Sequence, residues 1–410
     1  MQYITRSLER KFNRMNEFFK VVLVTGSRQV GKTTMLKHLA EEKKRSYVTL
    51  DNMMARNLAK TDPVLFFQTY KPPVIIDEVQ YAPELFGQIK IMCDESEETG
   101  RFWLTGSQQF NMMKNVRESL VGRIGILQLY SMTKNEIAGT LFYDDDLDFS
   151  LSGLQMRQER VQKNDAVINY EHIWRGGMPQ VLSADNEQRQ EYFEAYVDTY
   201  LMRDVIDYGS VTDTLRFSMF ISACAAILSE QVNYKTLADI VGISQPTAKE
   251  WLRLLESLGI IYLLKPYSNN ALKRLAKTPK LYFCDTGLAA HLLMWPTSET
   301  LMNGAASGRF FENFVIIELL KNYEYSKTKV AMYYFRDSNK KEIDLLIERN
   351  AEIHPLEIKK TANPNNRDIK KFTILNETTS KIGHGGIICM CEEVIPIDEK
   401  NNFIPCNLIR

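Results

Sequence analysis

Two hydrophobic periods alternate along the chain. Between residues 15 and 130, short apolar runs recur as VVLVTG, SYVTLD, PVIIDE, FWLTGS and IGILQL, and the stretches between them carry helical patterns. Strands alternating with helices predict a parallel sheet covered on both faces. Residues 165–230 read as helices, with apolar positions spaced for one helix face through EYFEAYVDTYLMRDVIDY. Residues 231–270 hold two helical patterns joined by a tight turn, followed by an apolar strand. Residues 308–392 run helix, strand, strand, strand, helix, strand. The pattern as a whole predicts an α/β protein in four parts. These are a parallel-sheet domain over 1–140, a helical lid or linker over 141–211, a helical domain with a β-ribbon over 212–299, and a smaller α/β domain over 300–410.

Composition narrows the classes. A chain of 410 residues suggests roughly two to four domains. With 44% hydrophobic and 25% charged residues it is an ordinary globular sequence, not a largely disordered one. Lys+Arg and Asp+Glu both number 51, so the net charge is zero. That excludes a global electrostatic grip on nucleic acid or an acidic membrane, and leaves only local patches for such contacts. No run approaches the ~20 apolar residues of a bilayer span, so no membrane partner is expected. The charged N-terminus lacks an apolar signal core. The six cysteines are scattered without a CxxC pair, which suggests neither a disulfide framework nor a zinc site. Together these features predict a soluble chain in a reducing, cytoplasmic setting.

The first candidate chemistry is a phosphate loop. Gly26-Ser27-Arg28-Gln29-Val30-Gly31-Lys32-Thr33 fits GxxxxGK[ST], follows the strand VVLVT and opens a helix at Thr33-Thr34. Its glycines let backbone N–H groups turn inward towards phosphate oxygens, and the helix N-terminus adds its dipole. Lys32 would reach the β- and γ-phosphates of ATP, and the Thr33 hydroxyl would ligate Mg²⁺. A second buried strand ends in Asp77-Glu78. There Asp77 would hold Mg²⁺ and Glu78 would polarise the attacking water as general base. A third strand ends in Leu104-Thr-Gly-Ser107. In ASCE-type ATPases, which these motifs resemble, an extra strand lies between the two motif strands and its polar tip touches the γ-phosphate or the water. That makes Ser107 a candidate. Arg123, in SLVGR, is a candidate for the arginine that offsets transition-state charge. If it acts across subunits, a homo-oligomer follows.

The set GSRQVGKTT, PVIIDEVQ, WLTGSQQ and ESLVGR resembles the AAA+-related, archaeal-ATPase-like family. In that family a P-loop ATPase domain of ASCE/AAA+ type precedes a C-terminal domain of unknown function 4143. Further stretches match the C-terminal region: Arg175-Gly-Gly-Met-Pro179, Tyr200-Leu-Met-Arg-Asp204, Pro279 through Leu288, and Gly308 through Glu312. The resemblance spans nearly the whole chain. Met178 stands where the family usually has Tyr.

In the middle, Tyr234 to Ser244 reads as helix, turn and N-cap, and the next helix runs to about Leu258, where Gly259 ends it. A strand at Ile260–Leu264 and a turn at Asn269-Asn270 complete a winged helix. Gln245, Thr247, Lys249 and Arg253 face outward on the second helix. Lys265, Lys273, Arg274, Lys277 and Lys280 make the wing basic. Contact with DNA phosphates and plain packing on a neighbouring domain are both open readings.

In the last part a hairpin turns at Arg349-Asn350. Asp344 lies on its first strand, and Glu357-Ile-Lys359 on its second puts the carboxylate and the ammonium on one face. This D…ExK arrangement, with Glu312 on the preceding helix, resembles the PD-(D/E)xK nuclease superfamily. The resemblance implies Mg²⁺ on Asp344 and Glu357, Lys359 orienting a water, and Glu312 holding a second metal or a water. Two functions follow. One is an ATP-dependent DNA-processing enzyme. The other is a nucleotide-switched signalling or scaffold ATPase of the STAND type, cycling between ATP and ADP, whose inactive nuclease-like domain binds a partner.

Overall fold

The computed structural model describes residues 3–41, 44–106, 119–140, 147–161, 165–202, 205, 211, 213–268, 278–337, 339–377 and 380–409. It divides into two compact units, residues 1–132 with 257–260, and residues 133–256 with 261–410.

The first unit opens on helix α1 (Leu8–Phe18) and is built on five parallel strands: β1 (Val21–Thr25), β2 (Ser46–Thr49), β3 (Val74–Asp77), β4 (Phe102–Gly106) and β5 (Ile124–Gln128). Their order in the sheet is β2-β3-β4-β1-β5. Strand β4 therefore lies between the strand that ends at the phosphate loop and the strand that ends at Asp77, as the ASCE resemblance implies. β1, β3 and β4 are buried along their whole length. That explains why they read as unbroken apolar runs rather than alternating ones. Helices α2 (Lys32–Ala40), α3 (Met53–Thr61), α4 (Pro63–Thr69) and α5 (Leu85–Asp94) connect them. Phe66, Phe67 and Phe86 pack with Val21, Leu23, Ile76 and Leu104 in the main core.

The second unit carries α6 (Ala166–Arg175), α7 (Asn186–Ala195), α8 (Thr214–Ala226), α9 (Tyr234–Val241) and α10 (Gln245–Ser257). The Asn233 side chain caps α9, and Gly242 ends it at φ 70°. The Ser244 hydroxyl accepts from the Thr247 N–H at 3.2 Å and starts α10. Strands β6 (Ile261–Leu264) and β7 (Lys280–Phe283) then form an antiparallel ribbon. Asn269, Asn270, Lys273, Arg274 and Lys277, expected in its turn and wing, lie outside the described residues. One expectation about the ribbon is corrected. Lys280 is not a solvent-facing wing cation; it is buried, with only 4% of its surface exposed.

After α11 (Thr286–Leu292), α12 (Ser307–Tyr325) lies along a mixed sheet. The sheet contains β8 (Ala331–Arg336), β9 (Glu342–Arg349), β10 (Glu352–Lys359), β11 (Lys381–Ile382), β12 (Gly385–Cys389), β13 (Ile395–Pro396) and β14 (Asn401–Pro405), in the order β13-β14-β12-β10-β9-β8 with β11 also on β10. The β9–β10 turn uses two left-handed residues, Asn350 and Ala351 at φ 51° and 63°, which suits the twist of a tight hairpin. The second helix expected over 308–392 is a 3₁₀ run, Asn366–Glu377. Ile369, Phe372 and Leu375 pack on the sheet's core at a spacing of three, the period of that helix.

Two of the family stretches meet within this unit. The Gly177 N–H donates to Asp285 Oδ2 at 2.9 Å, while Asp285 Oδ1 caps α11 by accepting from the Leu288 N–H at 3.1 Å. A Cβ on Gly287 would lie 2.4 Å from the Arg175 carbonyl oxygen, so the two backbones touch only because this residue has no side chain. Gly287→Ala is expected to destabilise the chain by roughly 2–3 kcal/mol, the scale of overpacking strain against a backbone that cannot move aside. A urea denaturation midpoint unchanged from wild type would contradict this.

Candidate functional site

The phosphate loop is shaped by backbone that most side chains would prevent. Gly26 has φ 144°, and a Cβ there would sit 2.1 Å from the Leu129 carbonyl oxygen. Gln29 and Gly31 also have positive φ, 62° and 96°. Gly31 thereby hands the chain into α2. Lys32 is buried and bends back across the loop, donating to the carbonyls of Gly26 and Ser27 at 3.0 and 2.8 Å. Arg28 donates to the Tyr81 hydroxyl at 3.2 Å. Arg6, from the segment before α1, braces the loop from behind. Its guanidinium donates to the carbonyls of Val30 and Tyr130, both at 2.7 Å. No sequence pattern marks Arg6 as part of the site, because its partners are backbone atoms 24 and 124 residues away.

Asp77 ends buried β3 and is met by three hydroxyls. Thr33 donates to its Oδ1 at 2.7 Å, Thr105 donates to the same oxygen, and Tyr47 donates to Oδ2 at 3.1 Å. Burial and then the Asp77 charge push the Tyr47 hydroxyl pKa up, so it stays a donor. By giving its proton to Asp77, Thr33 keeps both lone pairs for a cation. That donor set, a hydroxyl beside a carboxylate, fits Mg²⁺. Glu78 follows at φ 58°, with its N–H on Thr105 Oγ1 at 3.1 Å and its carboxylate held by the Gln80 amide.

Ser107 lies outside the described residues. Arg123 is described and lies away from this cluster. It precedes β5, whose first residue pairs with Val21, the first residue of β1, whereas the loop follows Thr25, the last. The length of a five-residue strand, about 16 Å, separates the two edges. Its guanidinium donates to Asp94 Oδ1 at 2.6 Å and to the Val121 carbonyl at 3.0 Å, and this pairing lowers the Asp94 pKa.

The C-terminal residues converge. Register pairs Leu345 with Leu356, which sets Asp344 across from Glu357 on neighbouring strands. Lys359 Nζ lies 3.3 Å from Asp344 Oδ2 and 2.7 Å from Glu357 Oε2. The Ile358 N–H also donates to Asp344 Oδ2, at 2.9 Å. Four residues that the motif does not contain join them. Lys371 bonds Glu357 Oε2 at 3.0 Å. Lys280 bridges Glu312 and Glu342 at 3.1 and 2.6 Å, and the Tyr282 hydroxyl donates to Glu312 at 2.8 Å. Glu357 Oε1 is buried and has no hydrogen-bond partner. Burial raises the carboxyl pKa of both Glu312 and Glu357 to about 7, whereas Lys359 and Lys280 outweigh burial at Asp344 and hold it below the usual range.

Comparisons with known proteins agree with the phosphate loop and its sheet. Residues 18–138 match the AAA domain, residues 169–299 a domain of unknown function (DUF8612), and residues 307–409 a second domain of unknown function (DUF4143). An uncharacterized protein of Mycobacterium tuberculosis is 26% identical over 347 residues, 84% of this chain and 71% of its own. One of Methanocaldococcus jannaschii is 24% identical over 253 residues, 60% of this chain and 52% of its own. Among solved structures, a Walker-type ATPase of Pyrococcus abyssi aligns with a TM-score of 0.46 at 16% identity, over 71% of this chain and 96% of that one. The first unit is a P-loop ATPase fold of the AAA type. An AAA domain followed by a domain of unknown function 4143 is the order found in the archaeal-ATPase-like P-loop family that the chain resembles. No helix among the described residues is long and apolar enough to cross a membrane.

The raised carboxyls make a pH prediction. A carboxyl whose folded pKa lies above its unfolded value binds more protons folded than unfolded. Its contribution to stability is therefore largest at low pH and falls as pH rises from about 4.5 to about 7. Glu312→Gln should flatten that fall. Identical slopes of stability against pH in the two proteins, from urea melts, would contradict the assignment.

Proposed function

We propose that this chain is a Mg²⁺-dependent, cytoplasmic ATPase whose nucleotide cycle serves the binding and cutting of DNA. The observation that carries the reading is the cluster of the loop residues Lys32 and Thr33 with Asp77 and Thr105, in which both threonine hydroxyls bond the Asp77 carboxylate. Thr33 and Asp77 would hold Mg²⁺, which when bound offsets charge on the β- and γ-phosphates. Lys32 exchanges its two loop carbonyls for phosphate oxygens. Glu78 accepts a proton from the attacking water once its carboxylate leaves the Gln80 amide. From the opposite sheet edge, Arg123 can reach a γ-phosphate only in a second copy of the chain, so its role as transition-state arginine goes with a homo-oligomer.

The helices α8, α9 and α10 with the β6–β7 ribbon support the winged-helix reading. Gln245, Lys249 and Arg253 are exposed along α10 and suit phosphate contact. In the C-terminal unit, Asp344 and Glu357-x-Lys359 support phosphodiester hydrolysis. The unpartnered Glu357 Oε1 beside Asp344 is a donor set that fits a divalent cation. The STAND-type alternative draws on a different observation: Lys359 and Lys371 already cap both carboxylates, as in a centre that binds without cutting.

Two experiments test this. Lys32→Ala should abolish ATP turnover. Glu78→Gln should keep ATP binding and turn over at least a hundredfold more slowly. Wild-type turnover in Glu78→Gln would put the base elsewhere. DNA affinity should fall with salt at a log–log slope of about −0.9 per phosphate contacted, and Lys249→Ala with Arg253→Ala should reduce that slope by up to about two units. A slope unchanged by both substitutions would remove α10 from the interface.

A further inference from the structure

We propose that Lys280 takes the place of a second cation in the C-terminal centre, so that this centre holds one divalent metal ion and Glu312 is not a metal ligand. The inference rests on the phosphodiester-hydrolysis reading and specifies the metal chemistry behind it.

The centre contains four carboxylates, and they divide into two pairs by how they are neutralised. Glu312 and Glu342 share the Lys280 ammonium, at 3.1 and 2.6 Å. The Tyr282 hydroxyl donates to the same Glu312 oxygen at 2.8 Å. Lys280 has little freedom to leave. Its side chain is only 5% exposed. It sits on β7, which is held by β6 on one side. Three residues on, the backbone N–H and carbonyl of Phe283 are both gripped by the Asn313 amide of α12, at 2.7 and 2.9 Å. A buried ammonium fixed in this way is a permanent charge partner.

Asp344 and Glu357 are met differently. Lys359 and Lys371 are their cations, and these side chains are 31% and 37% exposed. Long stems that reach solvent can swing away at little cost. Even with both lysines in place, Glu357 Oε1 remains without a donor, although the side chain is 0% exposed. An unmet buried carboxylate oxygen is costly. A hard divalent cation between Glu357 Oε1 and Asp344 would satisfy it. Lys359 and Lys371 would then be released towards the phosphate of the bound nucleic acid.

A second metal position would have to draw on Glu312 and Glu342, and Lys280 already holds both. Glu312, which would have supplied the third carboxylate, is drawn to Lys280 instead. Water and the substrate phosphate would supply the rest of the cation's oxygen ligands.

The test is a count of bound Mn²⁺ on the full chain without nucleotide, by electron paramagnetic resonance at pH 7.5, with folding checked by circular dichroism. The expected result is that Asp344→Asn removes one Mn²⁺ relative to wild type and that Glu312→Gln removes none. Lys280→Gln, which leaves Glu312 without a cation and Glu342 with only Arg336 at 3.6 Å, should add one. A loss of Mn²⁺ in Glu312→Gln, or an unchanged count in folded Lys280→Gln, overturns the role given to Lys280 and leaves the metal centre standing. An Asp344→Asn count equal to wild type overturns both this inference and the hydrolysis reading beneath it.

Discussion

A carboxylate taken out of water must be met by donors or by cations, and both candidate sites are organised around that requirement. In the first unit the carboxylate is Asp77, carried to the end of a strand with no exposed residue. Three hydroxyls meet it, and none of them brings a charge. These donors satisfy its oxygens without adding a counter-charge. In the second unit several carboxylates lie close together, and hydroxyls alone could not hold them. Lysines supply the compensation: one is locked in the interior and two reach solvent. On the proposed function, the first arrangement would take Mg²⁺ as it stands, and the second would exchange a lysine for a metal.

The same requirement shapes the surrounding fold. β3 must be buried on both faces to carry Asp77 to the sheet edge, which needs helices on both sides. β4 must lie beside β3, because Thr105 holds both the Asp77 carboxylate and the Glu78 backbone. In the C-terminal unit the pairing of β9 with β10 sets Asp344 against Glu357. Slipping the register by one residue would turn one of them to the opposite face.

Much of this is legible in the sequence where the determinants are local. The phosphate loop, the strand ending in Asp77-Glu78 and the hairpin bearing Asp344 and Glu357-x-Lys359 each occupy a short run whose period and turn residues specify the geometry. What escapes is assembled from distant residues or hidden by composition. Arg6, Tyr47 and Lys371 are single polar residues with no motif around them. Lys280 reads as one more wing cation until β7 turns it inward. The strand Asn401–Pro405 is masked by Asn and Pro, which read as loop. The run Ile369, Phe372, Leu375 looks helical, and only its spacing of three distinguishes 3₁₀ from α.

The central claim is that Asp77, held by Thr33, Thr105 and Tyr47, is the group through which Mg²⁺ joins the nucleotide. Calorimetric titration of ATP into wild-type and Asp77→Asn protein, with and without Mg²⁺, tests it most directly. The account predicts that Mg²⁺ tightens ATP binding to the wild type and that Asp77→Asn loses roughly 10–100-fold of that gain. Equal tightening by Mg²⁺ in both proteins would contradict it.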